Sequence, residues 1–293
     1  MKFALQAVGC GSTAKPEVLA EVATRAEALG FESLWIPEHL AVPLEMRSPY
    51  PYSSDGKFPG GAGVALHDPF VALAFAAAKT STIRLGTGVF VVPLRNAIAV
   101  AKAVASLDVL SNGRFLFGVG IGWLQDEFEA VGMPFEHRAA RTREAIRMMK
   151  TLWREEAPSF AGRFHQFPPL GFGPKPVQQP HPPIILGGES PAALKRAAEI
   201  GDGWIGVAHT PQSAAAIVAT LRERRAAAGR GGEPFEITVG PAPGVRLDRD
   251  SVRAFADAGV DRLFTFAPGF VPRGKLSSEL FPAMEQFARD VMR

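Results

Sequence analysis

The chain has 293 residues, of which 47% are hydrophobic and 21% are charged, a composition typical of globular proteins. Its formal net charge is only +3 and no run of five like charges occurs, so we expect no nucleic-acid partner and no polybasic membrane contact. The single cysteine, Cys10, excludes an intrachain disulfide and a cysteine-rich metal site.

The N-terminal residues form a short apolar run that ends at Gly9. This run lacks the long apolar stretch and the small-residue cleavage site of a signal peptide. No stretch of the sequence approaches the 18 uncharged apolar residues that a membrane-spanning helix needs. We therefore expect a protein without a membrane segment, located in the cytoplasm.

Short β-rich runs alternate with amphipathic helices along the sequence. The predicted strands cover residues 3–8, 33–37, 83–92, 114–119, 183–186, 203–207, 235–239 and 262–266. The predicted helices cover residues 16–29, 69–79, 97–110, 138–153, 190–200, 211–228, 249–258 and 276–292. Strands that alternate with helices favour parallel pairing, and eight such units favour closure into a barrel. The sequence therefore predicts an α/β fold, a (β/α)8 TIM barrel in which residues 1–293 form one domain.

Two segments interrupt this repeat. Residues 40–68 follow the second predicted strand, and residues 155–182 precede the fifth. Both are rich in proline and glycine, and the alternation of strands and helices resumes after each of them. Loops of this length inside a compact domain are usually lids, binding loops or mobile segments. We interpret both as insertions into the barrel and place no domain boundary at either.

The active site of a TIM barrel lies at the carboxyl ends of its strands. Glu38 and His39 follow the second predicted strand, and this is the one strand end where a histidine adjoins a carboxylate. Histidine is the natural proton carrier near neutral pH. An isolated histidine is more often structural, but the position of His39 at the barrel mouth favours a catalytic role.

Glycines follow two further predicted strands. Gly118, Gly120 and Gly122 resemble a dinucleotide-binding fingerprint, but Trp123 stands where the third glycine of that motif is required. These glycines fit either a flat backbone surface for a planar ring or a crowded turn. Gly187 and Gly188 precede a helix start and fit either an anion-binding turn or a capped turn without a ligand.

Several common catalytic patterns are absent from the sequence. It has no His-x-His after a strand, no lysine at the carboxyl end of a predicted strand and no Gly-x-Ser-x-Gly elbow. We therefore expect no metal site and no strong nucleophile of the protein's own. A bound cofactor that supplies the chemistry would explain this combination.

Four stretches carry a resemblance to a known family. They are EALGFESLWIPEHL (27–40), TSTIRLGTGVFVVPLRN (80–96), LDVLSNGRFLFGVGIGWLQDEF (107–128) and PHPPIILGGESPAALKRAAEIGDGW (180–204). In this order they resemble the luciferase-like oxidoreductases, barrel flavoenzymes that include bacterial luciferase, alkanesulfonate monooxygenases and deazaflavin-dependent dehydrogenases. Residues 48–59 (SPYPYSSDGKFP) are similar to the mycobacterial-type branch, usually described as coenzyme F420-dependent oxidoreductases.

The resemblance implies roles for particular residues. Glu38 and His39 would lie near the reactive edge of a flavin or deazaflavin ring, as catalytic and cofactor-binding residues. A bulge in the third predicted strand, which in the family often contains a non-prolyl cis peptide, would lie behind the ring (Gly88, Val89, Phe90, Val91). A segment after the fourth predicted strand would lie along the ring (Gly120, Ile121, Gly122, Trp123). The turn before the next helix would bind the cofactor's phosphate (Gly187, Gly188, Ser190).

Two departures from the family pattern bear on the substrate. Trp123 stands where some deazaflavin dehydrogenases carry a catalytic glutamate. The ends of the last two predicted strands show no pair of basic residues for a substrate phosphate, although Arg246 and Arg273 lie near them in the sequence. Both tyrosines of the chain, Tyr50 and Tyr52, lie in the first insertion, which fits either a lid or a surface stretch. With aromatic residues at the mouth, we expect a hydrophobic, uncharged substrate.

The resulting expectation is an enzyme that uses coenzyme F420 to move a hydride to or from a small apolar substrate, with His39 orienting or protonating the reacting centre. An FMN-dependent monooxygenase that uses molecular oxygen is the alternative, and a flavin-binding barrel without activity is a third. The alanine-rich helices 69–79 and 97–110 fit either a homodimer interface or the packing of a monomer.

Overall fold

The structure, a computed structural model, describes residues 1–53, 55–58, 61–267 and 279–292. Its strands are β1 (Lys2–Gln6), β2 (Ser33–Ile36), β3 (Arg84–Thr87), β4 (Phe90–Val91), β5 (Phe115–Gly120), β6 (Phe160–Ala161), β7 (Gln166–Phe167), β8 (Ile184–Gly187), β9 (Gly203–His209), β10 (Glu236–Pro241) and β11 (Arg262–Phe266). Eight of them pair in parallel in the order β1-β2-β3-β5-β8-β9-β10-β11, and β11 pairs again with β1. The sheet is closed, which confirms the predicted (β/α)8 TIM barrel.

Helices connect these strands. They are α1 (Pro16–Leu29), α2 (Pro69–Ala77), α3 (Ala97–Leu110), α4 (Gln125–Ala130), α5 (Arg138–Arg154), α6 (Pro191–Ile200), α7 (Pro211–Ala227), α8 (Arg249–Asp257) and α9 (Leu280–Phe287), which continues as a π-helical turn (Ala288–Met292). Their ends follow local sequence signals: Asp68 and Asn96 cap α2 and α3 through backbone N–H groups, and Gly30 ends α1 with a φ of 89°. Within the described residues, no helix is long and apolar enough to cross a membrane.

The structure departs from the predicted elements in three places. The third strand, predicted to be continuous over 83–92, is interrupted at a cis peptide between Gly88 and Val89, and its two parts, β3 and β4, both pair with β5. Helix α4 and the β6–β7 hairpin were not predicted, because both are too short to show a clear periodicity. The last helix begins at Leu280, and the start predicted for it at residue 276 lies outside the described residues.

The two insertions lie in different places. Residues of the first insertion line the cavity at the barrel mouth, whereas none of residues 155–182 does so. The second insertion instead packs against α5, where the carboxylate of Glu144 accepts hydrogen bonds from the backbone N–H groups of residues 163–165. Only the first insertion is therefore placed to act as a lid.

An ion-pair network occupies the amino-terminal end of the barrel. Arg262, the first residue of β11, is fully buried and donates hydrogen bonds to both carboxylate oxygens of Glu32, at 2.8 and 2.9 Å. It also donates to Glu236 at 2.9 Å and to Thr238 at 3.0 Å. The side chain of Trp35 lies beside this network in the barrel interior. These contacts fill that end of the barrel, and the large cavity lies at the opposite end.

Candidate active site

A cavity of about 1100 Å³ lies at the carboxyl ends of the barrel strands. Residues after β2, β5 and β8 form its walls, and residues of the first insertion cover it. Pockets for small molecules usually measure about 300–1000 Å³, so this one has room for a cofactor and a second small molecule. Its position is the one that the barrel fold assigns to an active site.

The structure brings twelve of the thirteen sequence-predicted site residues into this cavity. They are Glu38, His39, Gly88, Val89, Val91, Gly120, Ile121, Gly122, Trp123, Gly187, Gly188 and Ser190. Phe90 is the exception, since it does not line the cavity. Its ring is fully buried and contacts Phe70 and Phe117 behind the sheet. Successive side chains of a strand point to opposite faces, so Phe90 points away from the face that Val89 and Val91 share.

His39 has a carboxylate partner that the sequence analysis did not identify. Its Nδ1 atom lies 2.9 Å from Oε2 of Glu127 on α4, and both side chains are buried. The other oxygen of Glu127 accepts hydrogen bonds from the backbone N–H groups of Leu40, at 2.6 Å, and Ala41, at 3.2 Å. The carboxylate favours a proton on Nδ1 of His39, which leaves Nε2 as the ring nitrogen for a ligand.

Glu38 lies behind His39 and supports the wall of the cavity. Its carboxyl group accepts a hydrogen bond from the backbone N–H of Val91, and Oε1 lies 2.6 Å from the guanidinium of Arg95. Arg95 also lies 3.0 Å from the carboxylate of Asp68. Burial raises the pKa of Glu38 to about 8, against the opposing effect of Arg95, so this carboxyl group holds its proton near neutral pH. Glu38 thus holds the β3–β4 bulge in place.

Glycines make this wall close-packed. A Cβ atom on Gly120 would lie 2.7 Å from Cγ2 of Val89, and one on Gly118 would collide with the carbonyl oxygen of Thr87. Gly118 lies inside β5, so its crowding comes from the close approach of the neighbouring strand β3 and not from a turn. Gly120 is crowded in the same way and also lines the cavity, so the backbone there can approach a flat ring.

The turn after β8 has the features of an anion site. Gly188 has a φ of 111°, and the hydroxyl of Ser190 caps α6 by accepting a hydrogen bond from the N–H of Ala193 at 3.2 Å. Arg196, within the first two turns of α6, lines the same cavity, is only 5% exposed and has no hydrogen-bond partner at Nε among the described residues. Burial lowers the pKa of Arg196, and the nearby positive charges add to this effect. A phosphate group would supply the missing acceptor and the opposite charge.

A second arginine, Arg138, also lines the cavity and donates a hydrogen bond from Nε to the carbonyl of Gly122 at 3.0 Å. Neither arginine was predicted from the sequence, because both lie on helices and not at a strand end. Arg196 lies six residues after Ser190, a separation that does not place two residues on one helix face, so this spacing gives no signal for it. Of the two arginines considered from the sequence, Arg246 lies in the loop before α8, outside the cavity, and Arg273 lies outside the described residues.

The first insertion forms an aromatic cover over His39. The ring of Tyr50 lies 5.2 Å from that of Trp123 and 5.6 Å from that of Tyr52, and the ring of Phe58 lies 4.9 Å from the imidazole of His39. The insertion is attached to α4, since the guanidinium of Arg47 donates to Asp126 at 2.6 Å and also pairs with Glu129. These contacts favour the lid interpretation of Tyr50 and Tyr52 over that of a surface stretch.

The chain is similar to several known proteins. Residues 1–290 match the family model of the luciferase-like monooxygenases. The chain is 35% identical over 254 residues to an uncharacterized protein of Mycobacterium tuberculosis, with 85% of this chain and 86% of the relative covered. It is 32% identical over 269 residues to a putative coenzyme F420-dependent oxidoreductase of Mycobacterium tuberculosis, with 87% of this chain and 70% of that protein covered.

Among solved structures, the monooxygenase RslO1 from Streptomyces bottropensis superposes on this chain with a TM-score of 0.75. The superposition covers 100% of this chain and 99% of the RslO1 chain. The two sequences are 24% identical. At this identity, the likeness establishes a shared fold and leaves the reaction open.

Proposed function

This chain belongs to the luciferase-like monooxygenase family, and we propose that it uses coenzyme F420 to move a hydride to or from a small apolar substrate. One observation carries the proposal: a single cavity is lined both by His39, the partner of Glu127, and by Arg196, whose buried Nε has no hydrogen-bond partner in the described part of the chain. The choice of F420 is supported by the relative described as a putative F420-dependent oxidoreductase.

The residues present fit a deazaflavin cofactor. Val89 and Gly120 would support the flat ring, and the turn at Gly188 and Ser190 would hold the phosphate, with Arg196 supplying a donor. When bound, the deazaflavin ring of F420 accepts or donates a hydride at its C5 atom. The chain itself needs no strong nucleophile for this chemistry, consistent with the patterns absent from its sequence.

His39 is the proposed proton carrier. Its Nε2 atom donates a proton to the substrate or removes one, because Glu127 holds Nδ1 and keeps the ring oriented toward the cavity. Glu127 is in turn fixed by two backbone donors, so the pair has little freedom to reorient. Glu38 acts as a positioning residue, through its bond to the Val91 N–H, rather than as the partner of His39.

The aromatic cover excludes water from this pair. The rings of Phe58 and Trp123 contact the imidazole of His39, and the ring of Tyr50 packs against that of Phe58. A dry site strengthens the electrostatic interactions on which proton transfer depends. The same lining suits a substrate with an apolar body.

An FMN-dependent monooxygenase is the second candidate. The anion site would hold the phosphate of FMN as well as that of F420, and the similar fold of a monooxygenase makes this alternative concrete. The third interpretation, a barrel that binds a flavin without turnover, makes no use of the His39–Glu127 pair.

Titration of the purified protein with F420 and with FMN, followed by absorbance and fluorescence, separates these candidates. We expect tight binding of F420 and turnover of the bound cofactor with an apolar alcohol or ketone. Tight binding of FMN together with oxygen consumption would replace the proposal with the monooxygenase. Binding of either cofactor without any turnover would favour the inactive barrel.

A further inference from the structure

Glu189 is a charged residue in the cavity for which the proposed hydride transfer has no use. It follows the Gly187-Gly188 pair, lines the cavity and is 31% exposed at its side chain. Its Oε1 atom accepts a hydrogen bond from the N–H of Val207 at 2.9 Å, and Oε2 lies 3.1 Å from Nε2 of His209. A carboxylate has about four acceptor positions, so these two contacts fix the group and leave others open to a ligand.

His209 keeps this carboxylate in place from outside the cavity. It is buried at the end of β9, its Nδ1 lies 3.1 Å from the hydroxyl of Ser213, and its ring packs against Trp204 at 5.5 Å. Spacing along the chain does not indicate this pair, because Glu189 lies 20 residues away and only the barrel brings the two together. The orientation of Glu189 is thus determined before any ligand binds, which lowers the entropic cost of binding.

Aromatic rings line the same cavity as Glu189. Tyr50, Tyr52 and Trp123 are among its lining residues, and the ring of Tyr50 contacts those of Tyr52 and Trp123. A carboxylate in a cavity lined by aromatic rings suits a donor group on an apolar body, including an ammonium group.

Gln6 supplies a second acceptor in the same cavity. Its Nε2 donates to the carbonyl of Gly88 at 2.5 Å, and this bond determines which end of the amide carries the oxygen. Oε1 is buried and has no partner among the described residues, and the side chain lines the cavity. A buried acceptor without a donor is unfavourable, so a ligand that supplies a donor is favoured there.

We propose that the substrate carries a hydrogen-bond donor, a hydroxyl or an ammonium group, on its apolar body, and that Glu189 receives this donor, with Gln6 as a second acceptor. This inference rests on the proposed function in one respect, since it takes the cavity to be a substrate site. It also refines the sequence-based expectation of an uncharged substrate, because a fixed carboxylate accepts a charged donor as well as a neutral one.

The test measures binding rather than turnover. The protein, loaded with whichever of F420 or FMN it retains, is titrated by calorimetry with 2-phenylethanol, 2-phenylethylamine and ethylbenzene, which share one apolar body. We expect the alcohol and the amine to bind at least about tenfold more tightly than ethylbenzene, as one charge-assisted hydrogen bond allows. Equal affinities for all three compounds would overturn the proposal.

Three variants assign the effect to Glu189. Glu189→Gln keeps an acceptor and removes the charge, so the amine should lose about tenfold in affinity and the alcohol much less. Glu189→Leu should remove the preference for both donors. Glu223→Gln, at an exposed position on α7, is the matched control and should bind all three compounds as the wild type does.

The role of Glu189 would be overturned if Glu189→Gln still preferred the amine over ethylbenzene and Glu189→Leu still preferred the alcohol. If Glu189→Leu does not fold, the amine affinity of Glu189→Gln decides alone. A protein that shows the donor preference but transfers no hydride with any cofactor would refute the proposed function while supporting this inference.

Discussion

Arg196 offers the sharpest test of the anion site. Its guanidinium is buried, lacks a partner at Nε among the described residues and lies within the electrostatic range of Arg143 and Arg138. Replacement by methionine, an unbranched apolar side chain, keeps much of the volume and removes both the charge and the unpaired donor. The variant Arg196→Met should therefore weaken the binding of a phosphate-bearing cofactor and at the same time stabilise the cofactor-free protein.

The magnitudes follow from the two states. A buried donor without a partner costs about 1–3 kcal/mol, so the free energy of unfolding of the cofactor-free variant should rise by about that amount. A hydrogen bond from a charged donor to a phosphate contributes about 1.5–3 kcal/mol, so the cofactor affinity should fall by roughly 10-fold to 150-fold. The two effects have opposite signs, which distinguishes them from a general loss of structure.

The assay compares each cofactor with its chromophore lacking phosphate. FMN is paired with riboflavin, and F420 with its deazaflavin chromophore, in fluorescence titrations of wild type and variant. Arg143→Met is the matched control, since Arg143 pairs with Glu199 at 2.7 Å, and its effect on binding should be less than about threefold. Equal weakening of the phosphorylated and unphosphorylated forms, or a fall in the melting temperature of the cofactor-free Arg196→Met protein, would refute the reasoning.

Three further predictions concern the proton carrier, the buried acid and the opposite end of the barrel. His39→Ala should lower turnover by about 10²–10⁴ and change the cofactor Kd less than about threefold; unchanged turnover would remove His39 from the mechanism. Because burial raises the pKa of Glu38 to about 8 from 4.5, its stabilising effect is complete below pH 4.5 and is lost as the pH rises through 8. Urea unfolding at pH 5 and pH 9 should thus show wild type losing about 4 kcal/mol relative to Glu38→Gln, and parallel pH profiles would contradict this. Arg262→Met should lower the free energy of unfolding by about 3–5 kcal/mol, because Glu32 and Glu236 lose their buried partner. The cofactor affinity should not change, and a loss of stability below about 1 kcal/mol would contradict the proposed importance of this network.

The barrel was predictable because its signals are local. Each strand and most helices are marked by periodicity and by caps such as Asp68 and Gly30, and the alternation of the two implies parallel pairing. Once the strands are parallel, all their carboxyl ends lie on one side. Residues that follow different strands, such as His39 and Gly188, could therefore be assigned to the same cavity from the sequence alone.

Phe90 was assigned to the cofactor site together with its neighbours, but its side chain does not line the cavity. The resemblance assigned the whole bulge from Gly88 to Val91 to the cofactor, whereas the alternation of side chains along a strand places Phe90 behind the sheet. The sequence contained that information. The interruption of the strand at the Gly88–Val89 peptide made the alternation hard to read.

The sequence by itself therefore determined the fold class and the end of the barrel at which the site lies, because both follow from patterns within a few residues of one another. Only the tertiary structure decided which side chains meet there. His39 finds Glu127 across 88 residues, and His209 finds Glu189 across 20. Such pairings depend on how short elements like α4 pack over the strand ends. The distances involved are a few ångströms in space, and the spacing of residues along the chain does not encode them.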